Sequence, residues 1–163
     1  MKRSGFKNKP HKPLKRTPLR KKAKSPAKTT LGGKKRHSKT DLRRAKDKLW
    51  ELTRKIVFRT YGTNCYTCPK TNLTGVNCQG GHVPWPTSIL STECRYDIRF
   101  IRAQCYNCNI NNGGMGAVAL KKMLAEGIDI EAMETLNRET KGKPYPLDWH
   151  LQKIQEYEQI LNA

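Results

Sequence analysis

Cys65-Tyr66-Thr67-Cys68 and Cys105-Tyr106-Asn107-Cys108 are two Cys-x-x-Cys knuckles separated by 36 residues, with Gly80-Gly81-His82 between them. Each knuckle sets two sulfurs on one tight turn, so two turns brought together offer four thiolates at ~2.3 Å in a tetrahedron, the arrangement Zn²⁺ accepts. Two other readings compete. A disulfide framework needs an oxidising compartment, and a thioredoxin-like pair needs a single Cys-x-x-Cys in a βαβ setting. Neither suits this spacing, so Cys65, Cys68, Cys105 and Cys108 are expected to hold a structural zinc. The interval exceeds the ~15–20 residues of a minimal ribbon, so it is expected to carry structure and function of its own. Cys78 and Cys94 are left over as reduced thiols and read as small buried hydrophobes, although either could replace a zinc ligand in another pairing.

Charge narrows the partner. The chain carries 33 Lys plus Arg against 13 Asp plus Glu, a formal charge of +20 on 163 residues, and its pI is near 10.0. Such an excess argues for a polyanion, most simply nucleic acid. It is distributed unevenly: residues 1–40 hold sixteen Lys or Arg, four Pro and no acid, whereas residues 41–163 carry seventeen basic against thirteen acidic side chains. Residues 1–40 have too few apolar groups to offset the entropy of ordering, so a disordered basic arm is expected there, able to neutralise phosphates. A solubilising tail or a transit peptide are the alternatives, and four prolines oppose the amphipathic helix of the latter. No run of ~18 apolar residues exists to span a membrane. Phe6, Leu14 and Leu19 stand alone, so the start of the chain is no secretory signal. A cytoplasmic location is expected.

Residues 41–163 are expected to form one domain of class α+β. Thr40 can cap a helix from Asp41 to about Arg59, in which Leu42, Ala45, Leu49, Leu52 and Ile56 recur at spacings of three and four. Asn72 to Gln79 reads as a short strand or turn pair, and Ile98 to Gln104 as a strand leading into the second knuckle. Helices are expected over about Ala117 to Glu126, about Ile130 to Arg138, and from Asp148 onward, with Leu151, Ile154, Tyr157 and Leu161 as an apolar stripe. The core is modest, consistent with a metal supplying part of the folding energy.

His82 follows two glycines at the end of a strand, where backbone or phosphate can approach closely. Asn109 comes immediately after Cys108 and is held by the knuckle. A neutral imidazole can take a proton from water at pH 7, and a hard divalent cation on an oxygen ligand can stabilise a leaving phosphate oxygen. Together they suggest a one-metal phosphodiesterase. The plainer reading of a lone His in a small zinc domain is a structural one.

The series Cys65-x-x-Cys68, Gly81-His82, Arg95-Tyr96-Asp97 and Gln104-Cys105-x-x-Cys108-Asn109, closed by a Tyr-Pro-x-x-Trp-His helix, resembles the NinG (Rap) family of phage recombination endonucleases over about Asp41 to Leu161. The knuckles with Gly-His and Cys-Asn are similar to the zinc-stapled branch of the HNH, or ββα-metal, nucleases that includes phage endonuclease VII. The resemblance implies a small ββα-metal core flanked by helices, and a structure-selective DNA endonuclease acting on Holliday junctions and D-loops with Mg²⁺ or Mn²⁺. It implies His82 as general base and Asn109 as a ligand of the catalytic metal. Many HNH enzymes have an acidic ligand where this chain has Gly81, and the central Asn of the HNH name falls at Phe100. Asp97, with Glu93 behind it, is the nearest polar residue to take part of either role. A homodimer and a recombinase or single-strand binding protein are compatible partners.

Arg95, Arg99 and Arg102 before the second knuckle, with Lys121 and Lys122 after it, are candidates for phosphate contacts, against the simpler reading of solvated charge. Trp85, between Pro84 and Pro86, could stack on an unpaired base or pack on the zinc lobe. The alternative to an enzyme is a non-catalytic zinc-ribbon protein whose basic arm grips nucleic acid.

Overall fold

Apolar spacing in the first helix sets the architecture. A computed structural model describes residues 39–163, and helix α1 runs over Lys39–Tyr61. Its Ala45, Leu49, Leu52, Ile56 and Val57 are buried at intervals of three and four, so one face of the helix becomes a wall of the core. Thr53 lies on the same face, and its hydroxyl donates to Leu49 O at 2.7 Å, which keeps a buried polar group satisfied. The helix ends at Gly62, whose φ of 76° would strain other residues and whose N–H returns to Phe58 O at 3.0 Å. Thr40 therefore lies inside the first turn rather than capping it, because the helix opens two residues before Asp41. The arm expected over residues 1–40 otherwise falls outside the described residues.

Strands β1 (Gln79–His82) and β2 (Ile101–Gln104) pair antiparallel, from Gln79 opposite Gln104 to His82 opposite Ile101. All four residues of β2 are buried, since α1 covers the sheet. The segment expected as one strand, Ile98 to Gln104, divides in two. Asp97 accepts a hydrogen bond from the Arg99 N–H at 2.9 Å and caps a 3₁₀ turn over Ile98–Phe100, leaving four residues to pair with the four of β1. Asn72 to Gln79 forms a turn, with a 3₁₀ segment over Gly75–Asn77, and only Gln79 of it joins β1.

After β2 a π-helical turn, Asn107–Asn111, carries the second knuckle into α2 (Gly116–Ala125), followed by α3 (Ile130–Thr140) and α4 (Leu147–Asn162). The class is α+β, with one two-stranded sheet among the described residues. Val57, Val83, Phe100, Ile101, Ala119 and Met123 meet in the core between α1, the sheet and α2. Helix α4 packs along α1: Arg59 Nη1 donates to Leu161 O at 2.9 Å, and Lys48 pairs with Glu158 at 3.2 Å. Leu147 and His150 are the buried residues of α4, whereas Leu151 of the expected stripe is 43% exposed. No helix among the described residues is long and apolar enough to cross a membrane.

Candidate metal centre and active-site cleft

The two knuckles meet. The Sγ atoms of Cys65, Cys68, Cys105 and Cys108 all lie within 4.8 Å of one another, and those of Cys68 and Cys105 are 3.8 Å apart. Four sulfurs placed tetrahedrally at ~2.3 Å from one ion stand ~3.8 Å apart, so the set can hold a metal ion such as zinc. Backbone hydrogen bonds bring the turns together: Tyr66 N donates to Ala103 O at 2.8 Å, and Cys105 N to Cys65 Sγ at 3.3 Å. Burial opposes ionisation of Cys65, but the N–H groups of Cys105 and Thr67 outweigh it and bring the thiol down to about 6. Burial pushes the Cys108 thiol up to about 12, and the neighbouring sulfurs add to the effect. Cys78 is buried beside this cluster and Cys94 lies in the main core, both outside the four-sulfur set.

Adjacent to the knuckles is a cleft of about 450 Å³, lined by residues that include Trp50, Gly80, His82, Thr87, Asn109 and Gly114. The half-buried His82 sits at the end of β1, where its Nε2 lies 2.9 Å from Arg95 O. A carbonyl has no proton to give, so Nε2 carries the hydrogen and donates it, leaving Nδ1 as an acceptor. Nδ1 is 3.4 Å from Thr87 Oγ1, an exposed hydroxyl of the cleft wall. The ring lies flat on Trp50, with centroids 5.2 Å apart and planes 11° apart. Burial lowers the His82 pKa below its ordinary 6.5, and the Arg95 guanidinium lowers it further against the opposing pull of the Arg95 carbonyl. The imidazole is thus neutral at pH 7, with Nδ1 unprotonated.

Asn109 reaches the same cleft from the π turn, its N–H donating to Cys105 O at 3.0 Å. Its Oδ1 lies 3.0 Å from the point a Cβ on Gly81 would occupy. Gln104 Oε1 stands 1.9 Å from that same point, so Gly81 is a place where no side chain fits while the Gln104 amide keeps its position.

Family models, curated proteins and solved structures give no match to this chain.

His82 and Asn109, distant in sequence, both line the cleft. Asp97 does not join them: its carboxylate takes Arg99 Nε at 3.1 Å and Nη2 at 2.6 Å, besides the Arg99 N–H. Glu93 accepts from Tyr145 OH at 2.9 Å. None of the five expected phosphate contacts lines the cleft. Arg95 Nε donates to Leu90 O at 3.3 Å, and Arg99 is held by Asp97. Arg102 is buried, donates to the carbonyls of Ile98, Arg99 and Ile101, and lies 3.9 Å over the Tyr61 ring, which makes it a brace for the strand. Lys122 donates to Tyr66 O at 3.3 Å, and Lys121 is exposed on α2. Trp85 packs against Phe100 with ring centroids 6.0 Å apart. Trp50, Thr87 and Gln104 went unread in the sequence as site residues; only the Gln104-Cys105 dipeptide of the motif gave a signal.

Proposed function

We propose that this chain is a metal-dependent DNA endonuclease with His82 as general base, acting on branched recombination intermediates. The observation that carries the reading is the shared cleft: a neutral imidazole with a carbonyl-fixed tautomer lines the same cleft as Asn109, the residue that directly follows Cys108 of the four-cysteine set. Nδ1 of His82 would take the proton of an attacking water, with the Thr87 hydroxyl placed to orient that water and Trp50 holding the ring plane. Asn109 Oδ1 offers the hard oxygen ligand that Mg²⁺ or Mn²⁺ takes. When bound there, the cation would supply charge stabilisation for the phosphate and its leaving oxygen. The thiolates would hold a structural zinc that fixes the strand end and the π turn against each other.

The choice of branched DNA, and of a recombination setting in the host cytoplasm, rests on the resemblance of the motifs to the NinG nucleases. The formal charge of +20 supports a polyanionic substrate. Incubation with a labelled four-way junction and Mg²⁺ or Mn²⁺, beside a His82→Ala variant, tests the reading. Tight binding without any cleavage would favour the zinc-ribbon binding module instead.

A further inference from the structure

We infer that Gln104 supplies a second oxygen ligand, next to Asn109, for a divalent cation in the His82 cleft, an inference that rests on the nuclease reading of that cleft. Gln104 is fully buried at 0% exposure. Its Nε2 donates to Gly114 O at 2.7 Å and to Thr67 Oγ1 at 3.1 Å. The Gly114 carbonyl can only accept, so the amide cannot be turned over and its oxygen must face Gly81. There Oε1 accepts no hydrogen bond from any described residue. A buried amide oxygen without a partner is rare in folded proteins and calls for a donor or an ion.

Its position is that of a ligand. Oε1 is 1.9 Å, and Asn109 Oδ1 3.0 Å, from one point above the Gly81 Cα, so the two oxygens are at most the sum of those distances apart. Two oxygens bound to one cation at ~2.1–2.5 Å can be up to ~5 Å apart, which accommodates them. Oε1 lies beneath the cleft rather than in its lining, 3.9 Å from the Cβ point of Gly114, a glycine of the cleft wall that puts no side chain between them. Asp97, the acidic side chain expected to serve, is held by Arg99, so the amide takes the place of a carboxylate. Both ligands are neutral. The cation's charge is then left to the substrate phosphate, and metal and DNA should bind weakly apart and tightly together.

The test is a Mg²⁺ titration of the zinc-loaded full chain, followed by NMR on the side-chain amide resonances of Asn109 and Gln104, which reads weak binding without any activity. Both amides should shift along one binding curve. In Gln104→Glu the Asn109 shift should saturate at about tenfold lower Mg²⁺, because a charged oxygen replaces a neutral one, and in Gln104→Leu at about tenfold higher. Glutamate loses the two hydrogen bonds that Nε2 donates to Gly114 O and Thr67 Oγ1, so if either variant fails to fold the wild-type titration decides: a Gln104 amide that stays unmoved while Asn109 shifts overturns its role. A shift of Asn109 alone, with equal affinity in the glutamate variant, overturns the role of Gln104 and leaves the nuclease reading standing. No shift of either amide overturns both.

Discussion

His82 stacks on Trp50 with planes 11° apart, while its Nε2 is tied to Arg95 O at 2.9 Å. The carbonyl fixes one edge of the ring and the indole one face, so the direction of the Nδ1 lone pair is set by α1 and by the loop before β2. Trp50→Leu should reduce kcat about tenfold with KM unchanged, since an aromatic pair contributes ~0.5–1.5 kcal/mol to holding the ring. Trp50→Phe should recover most of the loss. Single-turnover cleavage across the three proteins checks it; equal rates would remove Trp50 from the positioning of the base.

The rate should depend on pH through His82 with a definite sign. In the proposed reaction the base acts unprotonated, and burial holds its pKa below 6.5 against the pull of the Arg95 carbonyl, so cleavage should be at its plateau by pH 7 and fall on acidification. His150 is also lowered by burial. With both groups lowered, the unfolded chain takes up protons before the folded one, and stability too declines as pH drops through the ordinary histidine range. Rates measured with helical signal at each pH separate the two effects. A midpoint above pH 7 would contradict this environment for His82.

Cys105→Ser should unfold the domain, whereas Cys78→Ser should keep it folded with one zinc per chain. Both sulfurs are buried in the same lobe, but only Cys105 belongs to the four that lie within 4.8 Å. Structural zinc contributes ~10–16 kcal/mol in small metal domains, more than a core of this size can replace. Metal analysis and far-ultraviolet circular dichroism before and after chelation provide the check. Intact helical signal in zinc-free protein would refute the coupling.

Gly81→Ala should destabilise the protein by ~1–3 kcal/mol, because its Cβ would fall 1.9 Å from the oxygen of an amide that is buried on all sides. Gly80→Ala meets only the Arg54 Cγ at 3.0 Å and the Trp50 ring at 3.4 Å, so its cost should be smaller. Denaturant midpoints of the two variants rank them. The reverse order would mean that the Gln104 amide can move aside.

Local pattern made the helices legible. The spacing of Leu49, Leu52 and Ile56 located α1, and the later helices begin within one residue of where the sequence places them. The four cysteines were legible because metal geometry is written into Cys-x-x-Cys spacing. Strand limits were not, since a side-chain cap from Asp97 outcompeted extension of Ile98 to Phe100 and no local pattern reports that. His82 and Asn109 could be named from their neighbours in sequence. Trp50 could not, because in the sequence it is one more apolar residue packing on the core, and it gains meaning only when β1 is laid against it. For the same reason, proximity in sequence to β2 does not reveal that Arg99 holds the Asp97 carboxylate.

Cleavage of a labelled four-way junction by wild-type and His82→Ala protein, both zinc-loaded and saturated with Mg²⁺ or Mn²⁺, tests the central claim most directly. The wild type should cut, and the variant should cut ~10²–10⁴-fold more slowly while binding the junction almost as tightly, because a general base sets rate and Lys and Arg contacts set affinity. Equal cleavage by the two proteins, or none by the wild type, would contradict the account.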